Sequence, residues 1–323
     1  MKRRALLGAF AALCIWVGTH AAGASQRIAF LGVTPADSVT TRNTLDGFRK
    51  GLTEHGLIEG RDYTIEFAAE PRIAQLGARV AELIARKPAL LVAITTPAAQ
   101  AAARATRDIP VVFGVVSDPV GSGIVTSLAR PGGNVTGVSN MLPALSGKLL
   151  ELARALLPGL SRAAVLWNPD NPAKVIEAEE LRIAAKSTGV ALEELPARSA
   201  GEIERALAPG KDRPKLLVIL GETLTQANRA RIAQLALAGR MAVVSNLSTH
   251  TQAGGVLSYS PDYRELNRRL GAFAARILKG ARPEDLPVEL PTRFELLVNL
   301  KAAKTLGIQV PQTLLLRADR VIE

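Results

Sequence analysis

With 323 residues, 48% of them hydrophobic, the chain has enough apolar material for two medium-sized cores, which excludes a disordered or fibrous protein. Its formal charge is +11, but the Lys and Arg residues are scattered along amphipathic stretches and no aromatic-basic motif interleaves them, so a solvated basic surface is expected and no nucleic-acid partner. The single cysteine, Cys14, and three histidines leave little for disulfides, thiol chemistry, a histidine metal centre or a catalytic triad.

The N-terminus reads MKRRALLGAFAALCIWVGTHAAGA. Lys2, Arg3 and Arg4 precede an apolar run from Ala5 to Val17, and small residues end at Ala22-Gly23-Ala24. This order is that of a secretory signal peptide over residues 1–24, cleaved after Ala24, and the apolar run is too short for a permanent anchor. Cleavage removes Cys14, His20 and three positive charges, taking the chain from +11 to +8. A protein soluble in the periplasm is expected.

From Arg27 onward, short apolar runs alternate with amphipathic stretches. RIAFLGV (27–33), YTIEFAA (63–69), ALLVAIT (89–95) and VVFGVV (111–116) read as strands, with helices over 44–56 and 73–87 between them. After Ser117-Asp118-Pro119 a short helical segment is expected before Pro131-Gly132-Gly133, and NVTGVSN (134–140) reads as a last strand or a crossover. The pattern then restarts: a helix over 144–159, the strand RAAVLWN (162–168), a helix over 174–189, the strand ALEEL, the strand KLLVILG (215–221), one helix over 226–240 and AVVSN (242–246). GGVLSYS (254–260) precedes a long helix over 261–280, with Pro261 at its first turn and Gly280 at its end, and a proline-punctuated tail follows. Near-continuous apolar strands alternating with helices indicate parallel sheets covered on both faces, so the fold class is α/β with two Rossmann-like lobes of similar plan. Chain crossings between them are expected near Ser139-Asn140, Ser258-Ser260 and Leu290-Pro291.

In such sheets ligands sit beyond the carboxyl ends of the strands. The residues there are Thr34 after the first strand, Thr95 and Thr96 after the third, Ser117 and Asp118 after the fourth, Asn168 after the first strand of the second half, and Glu222 later. Each can be a plain helix cap, yet together they occupy equivalent positions in two halves. Asp118 can cap locally or face a ligand amine. Trp167 can stack on a ligand ring or belong to the core, and Tyr259 can line the cleft or brace a crossing, as can Asn140. The Gly121-x-Gly123 pair is followed by Thr126 where a dinucleotide fingerprint needs glycine, and there is no P-loop, G-x-S-x-G, H-E-x-x-H or C-x-x-C. Caps and hydroxyls without an acid, base and nucleophile favour binding over catalysis; no catalytic residue, metal or cofactor is expected.

The blocks SDPVGSGIVTSLARPGGNVTGVSN, LWNPDNP, GGVLSYSPD and LPVELPTRFELLVNLKAAKTLGIQVPQTLLLRADRVIE resemble the ABC transporter solute-binding proteins of the tryptophan/tyrosine type, over Arg27 to Glu323. The chain departs from that pattern at KLLVILGETLTQAN, where an Asp-rich strand end is usual, and at SYSPD, where SYGPD is usual. The resemblance implies type I periplasmic binding protein architecture with three hinge crossings, residues 25–139 and 259–290 forming one lobe and 140–258 and 291–323 the other. It further implies a monomer that holds a small amino-acid-like solute, with aromatic amino acids in view, and delivers it to an ABC permease and its ATPase. Two other readings stand beside it: a ligand sensor for a membrane kinase, and a secreted α/β enzyme with Asp118 and Glu222 as its only candidate acids.

Overall fold

The computed structural model describes residues 25–210 and 212–323, so the expected signal peptide lies outside the described residues. The first lobe alternates β1 (Gln26–Gly32), α1 (Val39–Glu54), β2 (Tyr63–Ala69), α2 (Leu76–Ala85), β3 (Leu90–Ile94), α3 (Thr96–Ala105), β4 (Val111–Val116) and β5 (Val135–Ser139). The second contains α4 (Ser146–Leu156), β6 (Arg162–Trp167), α5 (Pro172–Thr188), β7 (Ala191–Pro196), α6 (Ala200–Ala206), β8 (Leu216–Ile219), α7 (Thr223–Ala227), α8 (Arg229–Ala238), β9 (Ala242–Ser245), α9 (Ser248–Gln252) and β10 (Leu257–Pro261). Then come α10 (Tyr263–Leu278), β11 (Phe294–Asn299), α11 (Leu300–Thr305), α12 (Gln312–Leu315) and β12 (Arg320–Ile322).

The first sheet is parallel with order β2-β1-β3-β4-β5, and the second repeats that winding as β7-β6-β8-β9-β10 before adding β11 and β12 at its edge. The second sheet is not wholly parallel: β11 runs antiparallel to β10. The proline-punctuated tail is thus part of a sheet, because FELLVN carries four consecutive buried residues that can pair with β10. Alternation along each strand feeds two cores per sheet. In β1, Ile28 and Phe30 face α1 and α10, whereas Ala29 and Leu31 face α2 and α3. Burying each large apolar side chain contributes about 1.5–3 kcal/mol.

Several local expectations change. The segment after Pro119 forms turns rather than a helix, since Asp118 and the left-handed Gly123 (φ 67°) close it tightly. The helix expected over 226–240 is two, α7 and α8, broken at Asn228, whose side chain donates to the Leu224 carbonyl at 2.8 Å. Helix α1 begins earlier than expected because Ser38 caps it, its Oγ accepting from the Thr41 N–H at 3.1 Å.

The chain leaves the first sheet after β5 and returns after β10. Strand β10 runs through the expected boundary at residue 259: Tyr259 pairs with Leu296 inside the second sheet, so the return lies beyond Pro261. Helix α10 then packs on the first lobe, and Glu289 bridges Val138 before the chain leaves again. The α1–α10 contact is made by glycines: a Cβ on Gly51 would lie 2.0 Å from the Arg268 carbonyl oxygen, and one on Gly271 would lie 2.0 Å from that of Phe48. Backbone meets backbone there, and no side chain can intervene.

Gly51→Ala is therefore expected to destabilise the protein by about 1–3 kcal/mol through overpacking. Gly77→Ala in α2, where an added Cβ meets nothing within 4 Å, is expected to stabilise slightly through helix propensity. Urea denaturation of both variants checks the opposite signs.

Candidate functional site

A cavity of about 290 Å³ lies between the carboxyl ends of the two sheets. The first lobe lines it with the ends of β1, β3 and β4: Gly32, Val33 and Thr34, then Ile94, Thr95 and Thr96, then Val115 and Ser117. Two of these sit on strained backbone. Thr95 has φ 85° and ψ 157°, a region that essentially only glycine occupies, and Val115 has φ 57° beside an irregularity in the β4–β5 register. Thr95 stands before α3, a ten-residue helix whose first turn has no side-chain cap, so its N–H groups and the Thr96 and Ser117 hydroxyls form an anion-attracting wall. Ser117 is held by its own N–H, which donates to Thr96 Oγ1 at 3.3 Å.

The second lobe supplies a wall of buried charge. Lys174, in the first turn of α5, is 2% exposed and donates to the Glu177 carboxylate and, at 3.0 Å, to the Gly221 carbonyl. Asn246 donates to the same carboxylate and accepts from the Gly221 N–H at 2.8 Å, which closes the network. Glu222 follows at the start of α7. Its Oε1 accepts from the N–H groups of Leu224 (2.8 Å) and Thr225 (3.3 Å), while the Glu222 N–H donates to Thr225 Oγ1 at 3.0 Å, a reciprocal capping box. Burial pushes both carboxyls, Glu177 and Glu222, above the usual range, and the Lys174 ammonium opposes that push in each. One buried carboxyl, Glu177, and one half-buried carboxyl, Glu222, against one ammonium leave this wall short of positive charge.

Between the walls, Asn140 lies at the first crossing, 1% exposed, its Nδ2 donating to the Tyr263 hydroxyl at 3.3 Å and its Oδ1 buried with no partner among the described residues. Burial also holds the Tyr263 phenol protonated, above its ordinary range. Met141 next to it has φ 51°. Across the cavity, Gln226 Nε2 in α7 donates to Thr40 Oγ1 in α1 at 2.7 Å, a hydrogen bond joining the two lobes.

Of the residues expected from the sequence, Thr34, Thr95, Thr96, Ser117, Asn140 and Glu222 line this cavity. The other four do not. Asp118 turns back on its own loop, its Oδ1 accepting from the Gly121 N–H at 2.8 Å and its Oδ2 lying where a Cβ on Gly121 would come within 2.1 Å. Asn168 caps the turn after β6, accepting from the Asp170 N–H at 3.0 Å. Trp167 shares the face of β6 that carries Ala163 and Val165 and is buried in the core under α4 and α5, with the Arg182 guanidinium 5.7 Å from its ring centroid. Tyr259 sits within β10, stacked on Phe294 at 5.6 Å. Period-two alternation sends the last two rings onto a sheet face instead of off the strand end. Sequence reasoning missed Lys174, Glu177 and Asn246, and also Phe67, Thr40 and Gln226. A signal existed for Lys174: it continues the Ala178, Leu181, Ala185 stripe that α5 buries. Among the described residues no group of three or more His, Cys, Asp or Glu is placed to hold a metal ion, and no helix is long and apolar enough to cross a membrane.

Known proteins share this fold. A family model described as "ABC transporter substrate binding protein" matches residues 33–322. A tyrosine-binding protein of Clostridioides difficile (strain R20291) is 28% identical over 264 residues, covering 81% of this chain and 76% of that one. The ABC domain from Streptococcus pneumonia in complex with L-Trp superposes with a TM-score of 0.86 at 27% identity, over 92% of this chain and 100% of that one. The ligand-free, open structure of a substrate binding protein with adhesive properties from Clostridium difficile gives 0.69 at 25% identity, over 92% and 99%.

One of the two histidines left by the expected cleavage lies close behind the second wall. His250, in α9, is 1% exposed, its Nδ1 is 3.0 Å from Ser245 Oγ, and burial lowers its pKa from 6.5 to about 4. Because the folded pKa is the lower one, the unfolded chain takes up this proton first. The contribution of neutral His250 is full above pH 6.5 and is lost as pH falls toward about 4, a total of about 3 kcal/mol. His250→Asn is expected to lack that loss. Denaturation midpoints of both proteins between about pH 7 and 4 check it, since the opposite responses of Glu177 and Glu222 are common to both and cancel in the difference.

Proposed function

We propose that this chain, which belongs to the ABC transporter substrate-binding protein family, is the component of an ABC importer that captures an amino acid with an aromatic side chain and presents it to the permease. It is a binding protein and not an enzyme, as are the family and the relatives it matches. The names of those relatives, a tyrosine-binding protein and a domain bound to L-Trp, support the ligand class. Secretion to the periplasm through the segment up to Ala24 and action as a monomer belong to the same proposal.

The observation that carries it is the opposed polarity of the cavity walls. A zwitterion taken out of water needs both of its charges met, because an unpaired buried charge costs several kcal/mol. The first lobe offers hydroxyls and free N–H groups at the start of α3, around Thr95, Thr96 and Ser117, which suit a carboxylate. The second offers Glu222, whose carboxyl is pushed up by desolvation and only partly held down by Lys174, so that a ligand ammonium would add to that opposition. Phe30, Phe67, Ile94, Leu142 and Leu247 leave an apolar region for the side chain.

Closure belongs to this reading. The match is better to the L-Trp complex than to the open, ligand-free relative at similar identity, and Gln226 and Thr40 already bond across the mouth. Ligand stabilises that state by touching both lobes at once. Gln226→Ala is expected to weaken binding modestly, by about 0.5–1.5 kcal/mol, and small-angle scattering should show a larger radius of gyration for the ligand-free variant than for the ligand-free parent.

The ligand assignment is checked by calorimetric titration with L-tyrosine and L-tryptophan. Glu222→Gln keeps the shape and the cap but removes the charge, and is expected to weaken binding by about 1.5–3 kcal/mol. Asp118→Asn should leave affinity unchanged, because that carboxylate serves its own turn. Failure of the parent protein to bind either amino acid would remove the proposed ligand class.

A further inference from the structure

The strand ends beside the cavity carry two glycines whose backbone does not explain them. Gly32 ends β1 and Gly221 follows β8, and neither has a positive φ. What each makes room for is a side chain. A Cβ on Gly32 would lie 2.9 Å from both Cε2 and Cζ of Phe67, and a Cβ on Gly221 would lie 2.4 Å from Cγ and 2.5 Å from Cδ1 of Leu247. Phe67 and Leu247 both line the cavity, one from each lobe.

Phe67 has a firm seat. Its ring lies 6.0 Å from that of Phe30 at an interplanar angle of 31°, and Phe30 in turn meets Phe48 edge-on at 5.2 Å. Three of the chain's seven phenylalanines thus run in file from the first-lobe core to the cavity. Phe30 and Phe48 are fully buried and fix the near side of the ring, whereas Phe67 is half-buried. Leu247 stands at the start of α9 and shares the Gly221 site with Asn246, whose side chain anchors the same glycine N–H. Its position is therefore tied to the charged wall that holds Glu222.

Resting on the reading of the ligand as an amino acid with an apolar or aromatic side chain, we infer that Phe67 and Leu247 are its specificity-determining residues. They grip that side chain from the two lobes, with Gly32 and Gly221 setting how far each projects into the cavity. Phe67 offers a flat face and selects rings. Leu247 offers only apolar surface and takes rings and branched chains alike. The two come from different lobes, so a side chain held by both couples its recognition to lobe closure.

The test is calorimetric titration of the full chain with L-tryptophan, L-tyrosine and L-leucine. Phe67→Ala is expected to weaken the two aromatic ligands about tenfold and leucine less than about threefold, the difference being a lost ring–ring contact. Leu247→Ala should weaken all three alike. Gly32→Ala should weaken tryptophan severalfold in the parent background and have no effect on it in the Phe67→Ala background, because the added methyl acts only by displacing that ring. Thermal melts accompany each variant, and Phe67→Leu, which keeps most of the volume, replaces Phe67→Ala if the latter does not fold. Unchanged aromatic preference in the position-67 variant, or a Gly32→Ala effect that persists without Phe67, overturns the inference while the ligand class stands. A parent protein that binds none of the three overturns both.

Discussion

The contact between α1 and α10 holds the rest of the molecule in place. The two helices approach until the backbone of Gly51 meets that of Arg268 and Gly271, a distance that any side chain would open. The contact ties the chain returning from β10 to the first lobe although more than 200 residues separate the two helices. The Arg268–Glu54 ion pair at 2.5 Å lies beside it, half exposed and worth little by itself. Both helices present their first two turns to the cavity, α1 through Thr40, Thr41 and Thr44 and α10 through Tyr263 and Asn267. The same packing that fixes the topology therefore builds one side of the site.

The second lobe spends its polarity differently. Lys174 and Glu177 stand i,i+3 on α5, a spacing that on a solvated helix face contributes a few tenths of a kcal/mol. Here they are almost wholly buried, and what keeps them tolerable is the completeness of their surroundings: the Gly221 carbonyl, the Asn246 amide and the nearby Glu222. Such a network holds the start of α7 rigid against the end of β8 and places Glu222 where its charge is only partly answered. A wall of this kind is preorganised for a cation, because the cost of burying the carboxyls is met in folding before any ligand arrives. The strain at Thr95 and Val115 in the facing lobe has the same character: sparsely populated backbone held at the cavity by the sheet around it.

Strand ends were good guides where the side chain beyond the strand had nowhere else to go, and poor guides within the strand itself. Thr34, Thr95, Thr96 and Ser117 follow the last paired residues and point into the gap between lobes. Trp167 and Tyr259 belong to paired residues, so the pleat decided their direction, sending Trp167 into the second-lobe core and packing Tyr259 against it. Asp118 had two partners in prospect, a ligand amine or the N–H groups of its own turn. The nearby amide of Gly121 took it, since a local hydrogen bond costs little ordering.

The repeated alternation of apolar runs and amphipathic stretches, read along the chain, was sufficient to determine two similarly wound α/β lobes and to locate their binding edge, because periodicity and topology are properties of neighbours in sequence. The family could be recognised for the same reason, its blocks being contiguous. Lys174 and Glu177 looked like a surface pair, Phe67 like one more strand residue, and Gly32 and Gly221 like ordinary strand ends. Their roles come from residues far away in the chain: Asn246 across the second sheet, Phe30 on a neighbouring strand, Leu247 at the start of another helix. Only tertiary structure could decide these, since burial and the space beside a missing Cβ exist only once distant segments have packed together.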